Sequence, residues 1–365
     1  MENLKYWVAF SSLEFIGSAF LNKVWNHFGS IKEAWFASNS DFLKIEGLQI
    51  KTIEKFVSSR KEVNPDKILD EVLKRNIKIL TLEDEKYPQL LKQIYDPPAV
   101  LYIKGDLDIC NLDRTLAVVG SRKSSNNICD VLTNFISDLR GSDITIVSGM
   151  ALGIDSCAHK AAITNNLKTI AVLGGGFDFI YPPKNKDLFK KIADNNGAVI
   201  SEYYPSERPD VWKFPHRNRI ISGLSKGTLI AEAGLKSGAL ITARLCLEQN
   251  RELMCIPGLV TNPNTEGTHK LIKEGAGLVT VATDILEHMN WQFSIENNKN
   301  KKNYFIDLLD NEQEIYEILK LESKSFDEIL NESGFTVDNL MVALTTLEIK
   351  GIIKQIPGQK YINIV

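Results

Sequence analysis

Arg217 and Arg219 lie in KFPHRNRIISGLSKGTLIAEAGLKSGALITAR, which runs from Lys213 to Arg244. Unpaired guanidinium groups are costly to bury, so these two either have acidic partners inside the protein or face an anion. Asp155 and Glu232 are candidate partners for Arg219, and the spacing leaves both alternatives open. Asn218 adds an amide between the arginines, and the stretch continues into Ser237, Gly238 and Thr242, where a helix is expected to start. Three other turns have a similar make-up. VVGSRKSS carries Gly120, Ser121 and Arg122, and IVSGMALGID carries Ser148, Gly149 and Gly153. VLGGGFDFIYPPKNK carries three glycines, then aromatics, then Lys184 and Lys186. Glycine turns and helix N-termini present free N–H groups, and with cations beside them the chemistry on offer is anion binding.

Taken singly, each turn reads as a tight strand-to-helix connection. Asp155 reads as a helix cap, and His159 and His216 read as packing or surface histidines. As a set, the turns of a parallel sheet share one rim, and the rim would be wide enough for several phosphates. Neither the dinucleotide fingerprint GxGxxG nor the phosphate loop GxxxxGK[ST] occurs, and no nucleophile elbow, paired carboxylates or metal-ligand spacing stands out. The pattern points to binding rather than turnover, with no catalytic residue, metal or cofactor assigned. In an extended segment Phe177, Phe179 and Tyr181 would face one side, and at least one of them could stack on a base.

The elements that must hold these turns alternate along the chain. LAVVG, ITIVSG, TIAVLGGG, GAVISE, GTLIAEA, ELMCIPG and GLVTV read as strands, mostly separated by enough residues for crossover helices. Near-continuous apolar strands alternating with helices predict an α/β fold: a Rossmann-like, doubly wound, mostly parallel sheet covered on both faces. Residues 1–64 read as a small helical domain. Within it FLKIEGLQIKTIEKFV is similar to a helix-hairpin-helix but has Gln49 where a second glycine would serve phosphate contact, so plain helical packing is expected. The sheet domain is expected over 65–290, a lysine- and asparagine-rich linker over 291–305, and a winged-helix domain over 306–365, where three helical patterns precede two short strands.

Net charge is −3 over 365 residues, which does not by itself suggest nucleic acid. Locally the balance differs. Arg208 to Arg251 holds eight Lys or Arg against three acids, whereas residues 306–365 hold five Lys against eleven acids. Five scattered cysteines without a CxxC argue against a disulfide framework or zinc site and fit a reducing cytoplasm. Neither a signal peptide nor an uncharged apolar run of about 20 residues is present, so no membrane association is expected.

The ordered set VVGSR, VSGMALGIDSCAHKAA, GGGFDFIYPPKNKDLF, ISEYYP, FPHRNRIISGLS, EAGLKSGALITAR, IPG and GTHKLIKEGA resembles the signatures of the DNA-processing protein A (DprA/Smf) family from about Asp96 to Val281. The resemblance implies a cytoplasmic bacterial protein that binds and protects single-stranded DNA and loads the RecA recombinase onto it during natural transformation. It also implies a homodimer formed through the Rossmann-like domain, and no enzymatic activity. It places Arg122 and the lysines of PPKNK at the DNA. The DNA-binding set expected on these grounds is Gly120, Ser121, Arg122, Gly149, Lys184, Lys186, Arg217, Asn218, Arg219, Ser237, Gly238 and Thr242. A phosphoribohydrolase-like enzyme acting on nucleoside monophosphates is the alternative, faintly signalled by KGTLIAEAG, although that group's Pro-Gly-Gly lead is missing.

Overall fold

The computed structural model describes residues 3–106, 108, 112–291, 310–319, 323–350, 352–356 and 360–363. The apolar runs form a nine-stranded sheet. Its strands are β1 (Lys78–Thr81), β2 (Val100–Gly105), β3 (Thr115–Val119), β4 (Thr145–Ser148), β5 (Thr169–Val172), β6 (Ala198–Ser201), β7 (Gly227–Ile230), β8 (Glu252–Cys255) and β9 (Gly277–Leu278), in the order β1-β2-β6-β5-β4-β3-β7-β8-β9. β3 to β9 pair in parallel, while β1 and β2 add antiparallel strands at one edge. Chain order runs one way from β3 to β6 and resumes on the other side of β3 with β7. The point between β3 and β7 is therefore the topological switch, where the crevice of such a sheet opens.

Successive strand residues enter different cores, so both faces of the sheet are covered. Leu116 and Val118 of β3 pack with α8 (Asn126–Asp138), α9 (Ile154–Thr164) and α14 (Ala282–His288). Ala117 and Val119 pack in the core that takes in α11 (Lys213–Gly223) and α12 (Ala239–Glu248). The same core continues into the N-terminal helices, α1 (Leu4–Ser11), α2 (Ser18–Phe28), α3 (Ile31–Phe36), α4 (Asn39–Phe42) and α5 (Ile50–Ser59). There Phe10 stacks on Phe56 at 4.6 Å between centroids. In the hairpin before α5, Gly47 has φ +75° and its carbonyl accepts from Lys23 Nζ at 3.1 Å, so a side chain of the protein itself covers this turn.

The chain divides into two compact units, Met1–Phe293 and Ser294–Val365. The second has the expected winged-helix order: α15 (Asp310–Ile318), β10 (Lys324–Ser325), α16 (Phe326–Ser333), α17 (Val337–Ile349), β11 (Ile353–Ile356) and β12 (Lys360–Asn363). Leu340, Leu344 and Leu347 of α17 fill its core with Ile315, Ile329 and Ile353. The outer face of α17 shows Val337, Met341, Val342 and Ile349. Lys350, the only basic residue at its end, bonds Glu312 at 2.6 Å. The wing residues Pro357 and Gly358, and the linker stretch 291–305 apart from Trp291, lie outside the described residues. Among the described residues no helix is long and apolar enough to cross a membrane.

One expectation fails. Cys129 and Cys157 form a disulfide, with their Cα atoms 5.8 Å apart. They lie 28 residues apart in no recognisable spacing, and the packing of α8 against α9 brings them together.

Candidate functional site

A concave groove of about 550 Å³ opens at the switch point, between the turns that follow β3 and β7. Gly120, Ser121, Arg122 and Lys123 form one wall. Lys236, Ser237, Gly238 and Thr242 form the other, and Asn218 with Phe214 of α11 lies along the groove. The first wall has a determined shape. Ser121 N–H donates to the Glu232 carbonyl at 2.7 Å, and the Ser121 carbonyl accepts from Ile154 N–H at 3.2 Å. Gly153, at φ +78°, lies so close that a Cβ there would meet the Ser121 carbonyl at 2.2 Å, so only glycine fits. At the second wall α12 starts in the open: a Cβ on Gly238 would meet nothing within 4 Å. Thr242 is buried one turn into that helix, with part of its surface in the groove.

Arg122, Lys123 and Lys236 are exposed, and none forms an ion pair among the described residues. The Arg122 guanidinium lies 5.4 Å from the centre of the Phe214 ring, a cation–π contact that leaves its outer edge free. A smaller cleft of about 60 Å³ shares Arg122, Phe214 and Arg217 with the groove and adds Gly149, Tyr181 and Pro182. Tyr181 is half-exposed there, 5.4 Å from Phe214.

Arg217 and Arg219 face inward instead. Arg217 is 3% exposed and donates to the carbonyls of Gly149, at 2.5 Å, and Val172. A Cβ on Gly149 would strike its guanidinium at 2.6 Å, so the bare backbone of Gly149 is what admits the arginine. Burial, resisted by the nearby Asp155 carboxylate and assisted by Arg122, pushes the Arg217 guanidinium down to about 10. Asp155 in turn accepts from the N–H groups of Gly149 and Ala151 at 3.1 and 3.2 Å, so it braces that turn rather than serving as the N-cap of α9, which is Gly153.

Arg219, 7% exposed, forms a bidentate pair with Glu202, both contacts at 2.6 Å, and reaches Asp96. Neither Glu232 nor Asp155 is its partner. These corrections share a cause. Residues 213–223 form a helix that buries positions 213, 217, 219 and 220, so Lys213 is also spent, on Glu207 at 2.6 Å. Three of the eight cations between Arg208 and Arg251 are consumed in this way.

The triple glycine is not a phosphate cradle either. At Gly174 a Cβ would meet the Phe214 ring, at Gly175 the backbone of Pro209 and at Gly176 the carbonyls of Tyr204 and Pro205. These glycines admit a neighbouring segment. The residues after them turn rather than extend, which breaks the expected alternation: Phe177 is buried, Phe179 is half-covered under Arg208, and Tyr181 faces out. Lys184 and Lys186 are exposed but line neither the groove nor the cleft. The residue of PPKNK that supports the site is buried Asn185. Its amide donates to Met150 O at 2.7 Å and Ser156 Oγ at 2.9 Å, holding the turn after β4. Sequence reasoning missed Asn185, Lys123 and Lys236. Only the two lysines carried a signal, as cations inside glycine turns.

The Arg219 cluster predicts a pH dependence. Burial would raise Glu202, but the Arg219 charge and the His216 hydrogen bond bring it down to about 2. Hydrogen bonds to Asp96 and Glu202 raise His216 to about 9. The carboxyl adds stability above its ordinary 4.5 and loses it as pH falls through about 2. The histidine adds stability below its ordinary 6.5 and loses it as pH rises through about 9. The cluster therefore contributes most between about pH 4.5 and 6.5. In urea melts across pH, His216→Asn is expected to flatten the alkaline decline and to shrink the acid one without abolishing it, since Arg219 still holds Glu202 down.

Comparison with known proteins fits this geometry. The family model for DNA recombination-mediator protein A matches residues 78–290, and that for the DprA winged helix domain matches residues 306–359. Protein Smf of Synechocystis is 32% identical over 98% of both chains. The DNA processing protein DprA of Streptococcus pneumoniae is 45% identical over 56% of this chain and 71% of its own. The X-ray structure of the Streptococcus pneumoniae protein superposes with a TM-score of 0.68 at 36% identity, covering 77% of this chain and 95% of that one. DNA processing protein A of Helicobacter pylori, whose structure was described for its single-stranded DNA binding mode, gives 0.53 at 29% identity, over 58% of this chain and 96% of that one. With a matching groove domain, a matching winged helix and a relative alike over nearly its whole length, the chain belongs to the DNA recombination-mediator protein A family, that of the DprA and Smf proteins.

Proposed function

We propose that this protein binds single-stranded DNA through its phosphates, with little regard to sequence, along the groove at the β3–β7 switch point. The observation that carries this is the set of three exposed cations, Arg122, Lys123 and Lys236, without ion pairs among the described residues, around the sterically clear turn at Gly238. Backbone phosphates fix position without reporting base identity, and half-exposed Tyr181 offers a face on which a base can stack. In this reading Ser121, Asn218, Ser237 and Gly238 contact the strand, while Gly149, Arg217, Arg219 and Thr242 shape its support. Lys184 and Lys186 serve a strand that extends past the groove. The protein works as a cytoplasmic homodimer that protects incoming strands and delivers them to the RecA recombinase during natural transformation, without catalysing a reaction. The carboxylate of KGTLIAEAG, on which a hydrolase would depend, is turned onto Ser125.

Fluorescence anisotropy with single strands, duplex and mononucleotides at several salt concentrations tests the reading. Single strands of any sequence are expected to bind most tightly, with affinity falling steeply with salt. Equal affinity for duplex, or release of free base from AMP, would refute it.

The winged helix is assigned to protein contact. The unit is acidic, its α17 face is apolar, and Lys350 is already paired. DNA-reading winged helices present a basic helix to the groove, which this one lacks. A chain ending at Asn303 is expected to keep its single-strand affinity within about twofold, with any loss confined to recombinase loading. A large drop in affinity on truncation would overturn this assignment.

A further inference from the structure

The two long helices whose N-termini border the groove begin differently. The start of α12 is sterically clear at Gly238, and its first N–H groups turn back on their own turn, Ala239 N–H donating to Ser237 Oγ at 3.3 Å and Leu240 N–H to the Ser237 carbonyl at 3.1 Å. The start of α8 is occupied by the protein itself. Glu232, 1% exposed, lies just beyond β7 and accepts from the Ser125 backbone N–H at 3.3 Å and from the Ser125 hydroxyl at 3.2 Å. Ser125 is the N-cap of α8, and its hydroxyl also accepts from Ile128 N–H. In a nucleotide-binding parallel sheet the first helix after the switch strand ordinarily offers this N-terminus to a phosphate. Here a carboxylate of the same chain stands in that place, and no cation pairs with it among the described residues.

A buried acid beside an anion groove opposes the anion unless it also does something for the site. Glu232 holds both ends of the segment from Ser121 to Ser125: its carbonyl takes the Ser121 N–H and its carboxylate takes Ser125. Arg122 and Lys123 project from between these anchors, and the Lys123 N–H is further tied to Ser121 Oγ at 3.1 Å.

We infer that Glu232 is a positioning residue for the groove: it aims Arg122 and Lys123 at the strand and closes the α8 N-terminus, directing phosphates to those cations. The inference rests on the single-strand reading above. Its test compares the full chain with Glu232→Ala and Glu232→Gln, each with and without Arg122→Ala. The readouts are single-strand anisotropy and amide exchange of the free protein.

Glu232→Ala is expected to weaken binding about tenfold, and Glu232→Gln, whose carbonyl oxygen still accepts, to stay within about twofold of the parent. In the Arg122→Ala background Glu232→Ala should have a markedly smaller effect, because only its hold on Lys123 remains. Amides from Ser121 to Ser125 should exchange faster in Glu232→Ala while those of the sheet strands keep their protection. An equal loss in both backgrounds, a Gln variant as weak as Ala, or tighter binding by Ala would each overturn the proposal. If Glu232→Ala does not fold, Ser125→Ala removes one anchor, and failure to couple with Arg122→Ala overturns it equally. Loosened 121–125 amides in a protein that binds no single strand would sink the DNA reading and leave the anchoring role standing.

Discussion

Arg219→Ala is expected to lower the free energy of unfolding by about 3–5 kcal/mol, because it strands a buried carboxylate. The guanidinium forms two 2.6 Å contacts to Glu202 and donates from Nε to the Asp96 carbonyl at 2.9 Å. Removing it leaves Glu202, itself almost fully enclosed, with only His216 and the Ser18 hydroxyl beside it. Arg217→Ala is expected to destabilise as well, since it leaves the buried carbonyls of Gly149 and Val172 without their donor and opens a void beneath Gly149. Denaturant titration followed by far-UV circular dichroism reads both. If either variant keeps its midpoint but loses single-strand affinity, with a salt slope flatter by ~0.7, that arginine faces a phosphate after all.

Simultaneous replacement of Arg122, Lys123 and Lys236 by Gln should do the reverse. All three are exposed and without ion-pair partners among the described residues, so stability should stay within about 0.5 kcal/mol of the parent. Single-strand affinity should fall by roughly a hundredfold or more, since a hydrogen bond to a charged group contributes about 1.5–3 kcal/mol. The log–log salt slope should flatten by ~2, three contacts at ~0.7 each. The loss should be alike on all sequences, because none of the three is placed to read a base. A triple variant with an unchanged slope would put the strand somewhere other than this groove.

These two results divide the cations of one helix-and-turn region into structural and functional sets, and that division marks the limit of the sequence. The amino-acid pattern alone determined the strands, their parallel core, the glycine turns at their ends, the winged helix and the family. Each follows from local features: β-branched runs of strand length, glycines where chain direction changes, and helical spacing between them. The rim is legible too, because parallel strands with crossover helices bring their carboxyl-end turns to one side, whereas the strand order that puts the groove between β3 and β7 is not.

Only the tertiary structure decided which charges remain free to meet an anion. Arg122 and Arg217 have the same side chain, and nothing local distinguishes them. Arg217 is spent because α11 turns it under Gly149, and Arg219 because its partners are 17 residues away at Glu202 and 123 away at Asp96. The same long-range placement brought Cys129 to Cys157, put Asn185 rather than its lysine neighbours under the turn after β4, and set Glu232 on Ser125. A buried charge must find a partner, and the partner is whichever group the fold brings within about 3 Å, however distant it is along the chain.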